Sequence, residues 1–310
     1  MTYQRRVTGI GETVFDIIFK DEQPARAVPG GSTFNALISL GRVGVECAFI
    51  SETGNDRIGH YIVRFLRANG VNADNINMFD NVRSPLSLAF LNERNDAEYV
   101  FYKDHPNDRL IFTHPQIGSD DIILFGSYYA LNPVIRCQMK GFLEYAKSQG
   151  ALLYYDVNFR SAHSSEAEAL KPTVRENFTL ADVVRGSNED FAVLFGKNHC
   201  DTVYEEEIAP YCRNFIYTQG ADSVEVRAGD AVAMHFPVTP IETVSTIGAG
   251  DNFNAGFIYG LIKNSITRTM LNNGLTEAQW TSLINSAQQF SKSVCQTFDN
   301  YISIDFAKHL

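Results

Sequence analysis

The residues with the most chemical reach lie in one stretch, Ser245-Thr246-Ile247-Gly248-Ala249-Gly250-Asp251-Asn252-Phe253-Asn254-Ala255-Gly256. Three small residues precede an acid, and a helical pattern follows, with Phe253, Phe257 and Leu261 recurring at i, i+4 and i+8. Gly-Ala-Gly at a helix start leaves the first-turn amides free of side-chain cover. Those amides lack intrahelical partners and sit at the positive end of the helix dipole, which makes them an anion site. An aspartate at its edge can take a proton from a hydroxyl that attacks a phosphate held by the same amides. Taken alone, the stretch also fits a glycine-rich turn with Asp251 as an N-terminal cap.

Four further sets could join it. Pro29-Gly30-Gly31-Ser32-Thr33-Phe34-Asn35 removes side-chain bulk before a helix, so that backbone can approach a polyhydroxylated ligand, with Asn35 offering both a donor and an acceptor. Upstream, Asp16 is a carboxylate suited to sugar hydroxyls. Asp156-Val157-Asn158-Phe159-Arg160 and Arg185-Gly186-Ser187-Asn188-Glu189-Asp190 follow apolar strands. They therefore lie at strand carboxyl ends, where open α/β sheets bind ligands. Tyr217-Thr218-Gln219-Gly220-Ala221-Asp222 ends another strand in a tight glycine turn. Each set alone is also what strand ends show whatever the function; their order along one chain is harder to reach by chance. Two common nucleotide motifs fail. Gly9-Ile10-Gly11 lacks the last glycine of GxGxxG, and Gly196-Lys197 is followed by Asn198, not by Ser or Thr.

The elements that must position these residues alternate. Strands are predicted at Arg6–Ile10, Val45–Ser51, Ile122–Phe125, Leu152–Asp156, Val183–Gly186 and Phe215–Thr218. Helices are predicted at Thr33–Val43, Ile58–Asn69, Pro133–Gln149, Pro172–Leu180, Asp190–Phe195, Asn252–Lys263 and Glu277–Gln296. That alternation predicts a parallel sheet covered on both faces. Thr13–Lys20 and Pro85–Lys103 break the rhythm. In the second, Leu86–Leu91 and Ala97–Tyr102 flank the polar residues 92–96, which predicts a hairpin. Both segments could form a small sheet beside the main one.

The 310 residues, 45% of them hydrophobic, can bury a large core, and no linker or repeat marks a boundary. A formal charge of −10 argues against nucleic acid or an anionic membrane as the main partner. The five cysteines, odd in number and without a CxxC, point away from a disulfide framework and toward a cytoplasmic setting. No apolar run approaches a membrane span, and the N-terminus has no apolar leader core.

In these stretches the chain resembles the PfkB (ribokinase-like) carbohydrate kinases over nearly its whole length. Gly30-Gly31 with Asn35 and Leu40-Gly41 matches the N-terminal signature, Gly54–Gly59 the following G-x-D-x-x-G, and Gly248–Asp251 the C-terminal signature. Asp156–Arg160 and Thr218-Gln219-Gly220 resemble the family's D-x-N-x-R strand end and T-x-G turn. The resemblance implies an α/β fold, doubly wound around a mostly parallel sheet, with a small β-sheet lid. Residues 1–310 then form a single kinase domain, with lid segments at about 13–20 and 85–103. It implies transfer of the γ-phosphoryl of ATP, with Mg2+, to a sugar hydroxyl. Asp251 becomes the catalytic base and Gly248, Ala249 and Gly250 the anion hole. Asp16, Gly31 and Asn35 hold the sugar, and Asn188, Thr218 and Gly220 face the nucleotide. Arg160 is expected on a substrate oxygen or on phosphate.

Three departures qualify what is expected. Ser245-Thr246-Ile247 stands where the family reads D-T-T, so the acid that often helps build a monovalent-cation site is missing and potassium dependence is not expected. In the family's N-x-x-E, Phe191 takes the glutamate's place, leaving Glu189 or Asp190 to act on the metal through water. The usual glycine after the last alanine-rich helix is Phe298 here, so the adenine wall has no clear match. The hairpin sequence, ending Phe101-Tyr102-Lys103, looks most like that of fructokinases, which places Lys103 toward the substrate. A ketohexose is the leading substrate, followed by ribose and 2-keto-3-deoxygluconate. A nucleoside kinase and a non-catalytic sugar-binding regulator are the competing classes. The lid's apolar face further predicts a homodimer.

Overall fold

The computed structural model describes residues 5–92, 97–103, 110–112, 114–229 and 231–310. Its strands are β1 (Val7–Ile10), β2 (Val14–Lys20), β3 (Gln23–Gly30), β4 (Cys47–Gly54), β5 (Val71–Phe79), β6 (Leu86–Leu91), β7 (Ala97–Tyr102), β8 (Ile122–Gly126), β9 (Leu152–Asp156), β10 (Val183–Ser187), β11 (Asn214–Thr218), β12 (Ser223–Ala228) and β13 (Val232–Pro237). The helices are α1 (Ser32–Arg42), α2 (Arg57–Ala68), α3 (Arg136–Ser148), α4 (Ala167–Leu180), α5 (Asn188–Phe195), α6 (Cys200–Val203), α7 (Ala249–Lys263), α8 (Arg268–Asn273), α9 (Glu277–Cys295) and α10 (Ile304–Lys308). The chain forms two compact units. The first comprises Met1–Pro115, Ile241–Gly260 and Ser286–Leu310; the second comprises Gln116–Pro240 and Leu261–Asn285.

In the first unit β1, β4 and β5 pair in parallel. A separate four-stranded sheet runs β3-β2-β6-β7, with β2 antiparallel to β3 and parallel to β6, and β6 antiparallel to β7. Strand β2 alternates buried and half-buried residues, so Val14, Asp16 and Ile18 share one face and Phe15, Ile17 and Phe19 the other. On the buried face Ile18, Ala89 and Ile247 make a small apolar cluster, joined by Leu91 and Tyr99.

In the second unit the strands run β13-β12-β11-β10-β9-β8. The four from β8 to β11 are parallel, and β12 and β13 are antiparallel additions at one end. Strands β8, β9 and β11 are buried at every residue, as continuous apolar runs in a sheet covered on both faces require. The fold is thus the expected one: mostly parallel strands with helices between them, plus a small separate sheet.

Local differences have physical causes. Helix α4 starts at Ala167, before the expected Pro172, and carries that proline in its interior. Helix α7 starts at Ala249, three residues before the expected Asn252, which puts Ala249, Gly250 and Asp251 in its first turn. Strands β3, β5, β12 and β13 had no clear sequence signal. Residues 93–96 of the expected hairpin loop lie outside the described residues.

Candidate active site

Within the first unit, four sequence-distant segments converge on two carboxylates. Asp16, on the buried face of β2, accepts a hydrogen bond at 2.9 Å from Asn300 Nδ2. Asp251, in the first turn of α7, accepts one at 2.8 Å from Asn35 Nδ2, in the first turn of α1. Each carboxylate is therefore oriented by a carboxamide N–H. The chain must approach closely to allow this. A Cβ on Gly30 would lie 2.1 Å from Asp16 Oδ2, so no side chain fits there; Gly31, next in sequence, is the N-cap of α1.

The turn before α7 is held by the segment that follows α9. Gly248 sits at φ +77°, in the left-handed region, and a Cβ there would lie 2.6 Å from the carbonyl oxygen of Asn300. Asn252 donates from Nδ2 to the carbonyls of Gly248 and Asn300, both at 2.8 Å. Its Oδ1 accepts from Ser39 Oγ, which itself accepts from the Ile302 amide at 3.1 Å. Asn252 and Asn300 are both fully buried. Gly248, Ala249 and Gly250 are half-buried and carry little or no side chain over their amides.

Three buried polar atoms near these carboxylates have no hydrogen-bond partner among the described residues: Asn35 Oδ1, Asn300 Oδ1 and Ser87 Oγ. Ser87 is the register partner of Asp16 on the neighbouring strand. A buried polar group left unsatisfied costs roughly 1–3 kcal/mol, so such groups persist where a ligand or water completes them. Lys103 is engaged within its own unit: its Nζ lies 2.6 Å from Glu12 Oε1 and 4.5 Å from the centre of the Phe101 ring.

The second unit holds the remaining residues at the carboxyl ends of its parallel strands. Arg185 Nη1 donates to Asp156 Oδ1 at 3.0 Å and Nη2 to Thr218 Oγ1 at 2.8 Å, tying β9, β10 and β11 together. Burial is the largest single influence on Arg185 and would lower its pKa, but the charges of Asp156, Tyr154 and Asp190 and the hydrogen bond to Asp156 together outweigh it, and the net shift is upward. Asp190 forms a capping box with Ser187 at the start of α5 and accepts from the Phe159 amide at 2.7 Å. Burial pushes its carboxyl above the usual carboxylate range, with the Ser187 amide and Arg185 pulling the other way. Asn188 opens α5, and Glu189 after it is exposed. Arg160 is exposed just after Asn158, which sits at φ +37° and donates to Ser127 Oγ at 2.8 Å. Gly220 turns the chain after β11 at φ +54°.

Sequence reasoning singled out Asp16, Gly31, Asn35 and Gly248–Asp251, and the first unit brings them together. It missed Asn300 and the Asn252–Ser39 link, for which no motif exists. Arg185 was read only as the first residue of the 185–190 set and given no role, although a charged residue inside a strand was a readable signal.

Chemically, the first unit offers a carboxylate able to take a proton beside helix-start amides able to attract an anion, with a second carboxylate suited to hydroxyls. This is what a phosphotransferase acting on an alcohol requires. Residues 4–293 match the pfkB family carbohydrate kinases, and the chain belongs to that family. It is a carbohydrate kinase, and family membership carries the use of ATP.

Fructokinase-2 of Solanum habrochaites is 29% identical over 235 residues, which cover 73% of this chain and 70% of that protein. Probable fructokinase-5 of Arabidopsis thaliana is 26% identical over 242 residues, covering 76% and 74%. Among solved structures, a fructokinase from Vibrio cholerae O395 bound to fructose, ADP and calcium superposes with a TM-score of 0.83. It is 22% identical, over 97% of this chain and 96% of that one. Aminoimidazole riboside kinase from Salmonella enterica, complexed with aminoimidazole riboside and an ATP analogue, gives 0.81 at 20% identity, over 98% and 99%. Both share the fold. All five cysteines are free thiols, and among the described residues no helix is long and apolar enough to cross a membrane.

Proposed function

We propose that this kinase phosphorylates a ketohexose, with fructose the leading substrate, and that Asp251 is its base. The observation that carries the base assignment is the 2.8 Å bond from Asn35 to Asp251 at the start of α7, which aims a carboxylate beside the anion-binding turn. The ketohexose preference is supported by the fructokinase relatives at 26–29% identity and by the Phe101-Tyr102-Lys103 ending of the hairpin.

In this reading Asp16, Gly31 and Asn35 hold the sugar, and Lys103 reaches it on exchanging its Glu12 contact. Asp251 takes the proton of the accepting hydroxyl as its oxygen bonds to the γ-phosphorus and the bond to the ADP leaving oxygen breaks. Gly248, Ala249 and Gly250 receive the charge on the transferred phosphoryl oxygens. Asn188, Thr218 and Gly220 contact the nucleotide, and Arg160 a phosphate or substrate oxygen. Among the described residues no cluster of three His, Cys, Asp or Glu side chains is placed to cage a metal. The exposed carboxylate of Glu189 in the first turn of α5 suits Mg2+ carried mainly by phosphate oxygens and water, with Glu189 acting through water; the ion would supply charge neutralisation.

The chain, residues 1–310, works as one kinase domain whose segments 13–20 and 85–103 form a lid that closes over the sugar and excludes water. The lid's other face presents Ile17, Phe19, Leu88, Phe90, Val100 and Tyr102, of which Val100 is 41% and Tyr102 58% exposed. A second copy of the chain covers it, and the expected mass by light scattering at micromolar concentration is that of a dimer. The free thiols fit a reducing cytoplasm. Ser245 is buried with its Oγ accepting from the Ile247 amide at 3.2 Å, so turnover should be independent of potassium at fixed ionic strength. Saturable activation by potassium but not by tetramethylammonium would contradict this.

The deciding experiment is an ADP-release assay over fructose and other free hexoses, ribose and other pentoses, 2-keto-3-deoxygluconate and nucleosides. Fructose should give the highest kcat/KM. A higher value for a nucleoside or a sugar acid would overturn the substrate assignment, and no turnover of any member would overturn the catalytic one.

A further inference from the structure

Asn300 lies 49 residues beyond Asp251, in a segment that carries no signature, yet it touches both halves of the cluster in the first unit. Its Nδ2 donates to Asp16 Oδ2 at 2.9 Å. Its carbonyl accepts from Asn252 at 2.8 Å and lies so close to Gly248 that a Cβ there would come within 2.6 Å. The side chain is fully buried, and its Oδ1 has no partner among the described residues. Gly30 leaves the space on the other side: a Cβ there would lie 2.1 Å from Asp16 Oδ2 and 3.1 Å from Asn300 Nδ2.

An asparagine used only to tie the chain would satisfy both ends of its amide. Here the donor is committed to Asp16 and the acceptor is left over beside that carboxylate, and the same unit holds a second acceptor with no partner among the described residues, Asn35 Oδ1, on the residue that donates to Asp251. A surplus of acceptors calls for a ligand that donates. Neighbouring hydroxyls on a neutral sugar do so, whereas a carboxylate would bring more acceptors and a like charge to Asp16.

We propose that Asn300 is a further specificity-determining residue of the sugar site: its N–H fixes the Asp16 carboxylate, and its Oδ1 accepts from a sugar hydroxyl next to the one Asp16 binds. The site thereby selects neutral vicinal diols over sugar acids. This deepens the reading of Asp16 as a sugar ligand and rests on it.

The test uses the full chain and compares Asp16→Asn, Asn300→Ala and Asn300→Asp, with the panel sugar of highest turnover and its single-deoxy analogues. Asn300→Ala should raise the sugar KM about tenfold with kcat within about threefold, the effect of one hydrogen bond between ligand and site. That penalty should shrink clearly for the one analogue lacking the hydroxyl Asn300 accepts, leaving only the part due to the loosened Asp16, and should persist in full for the others. Asn300→Asp sets two carboxyls at hydrogen-bond distance, where one holds a proton at low pH and both repel when ionised. Its KM should therefore approach the wild-type value at low pH and climb as pH rises, a profile absent from the parent.

A purely structural asparagine would give the same loss for every analogue, a lower unfolding temperature and no such pH profile, and that result overturns the proposal. So does an unchanged KM in Asn300→Ala while Asp16→Asn raises it. An unchanged KM in Asp16→Asn itself overturns the Asp16 reading beneath it.

Discussion

Two pairs of buried carboxylates, one pair in each unit, are held differently. In the first, Asp16 and Asp251 accept from the carboxamides of Asn300 and Asn35. In the second, Asp156 is paired with the guanidinium of Arg185, and Asp190 accepts backbone amides in a capping box. A carboxamide orients a carboxylate with a neutral donor, and a carboxylate has several lone-pair sites with which to accept further hydrogen bonds. A guanidinium satisfies the carboxylate and fixes it, which suits a strut across three strands. On the roles proposed for Asp16 and Asp251, the holding group would separate carboxylates that take part in the reaction from carboxylates that brace the sheet.

The largest expected effect tests the brace. Arg185→Met leaves Asp156, 2% exposed, without its cation. Breaking a buried pair on one side costs about 3–5 kcal/mol, seen as a fall of roughly 5–15 °C in unfolding temperature. Replacing both partners, Asp156→Leu with Arg185→Met, should recover most of that, because the uncompensated charge is gone. A single replacement that leaves the unfolding temperature within about 2 °C would break the comparison on the side of the second unit.

Next in size is Asp251→Asn, which keeps an acceptor for Asn35 but removes the proton acceptor. Turnover should fall at least about a hundredfold, with sugar KM within about threefold and the unfolding temperature unchanged. Turnover within a fewfold of the parent would show that a carboxamide-held carboxylate here is only a cap.

The same contrast explains what the sequence disclosed. Strands β8, β9 and β11 were legible because burial on both faces demands near-continuous apolar runs, and α1, α2 and α7 because glycines and apolar spacing mark them. Strand β3 was not: Pro24, Arg26 and Pro29 argue against a strand, and it is tolerated as an edge whose first five residues are exposed. Strand β5 hides its pattern behind Asn72, Asn75 and Asn77. In α4 the interior Pro172 reads as a first-turn proline, so the start was placed too late. Of the site, residues within signatures could be found because backbone requirements are written in glycines. Asn300 could not, since its part depends on a contact 284 residues away in sequence.

The smallest expected effect asks whether the holding group or the unit is what matters. Asp56 lies in the first unit but is a strut. It caps α2, accepting from the amides of Ile58 at 3.0 Å and Gly59 at 2.8 Å, and from the amide and hydroxyl of Ser84 at 2.9 and 2.6 Å. Burial alone pushes its pKa up and is the largest single influence, but the donors from Ser84, Gly59 and Ile58 together outweigh it, and the net shift is downward. A carboxyl whose folded pKa lies below its unfolded value, about 3.9, contributes stability that is present above that value and is lost as pH falls through the folded pKa. Asp56→Asn keeps a capping oxygen but forfeits the charge, so at neutral pH it should cost about 1 kcal/mol or less. The gap to the parent should close below about pH 4, as the parent's carboxyl takes up its proton. Neither kcat nor sugar KM should change. If Asp56→Asn instead impaired turnover while leaving stability alone, membership of the first unit, and not the donor that holds the carboxylate, would be what marks a functional acid in this chain.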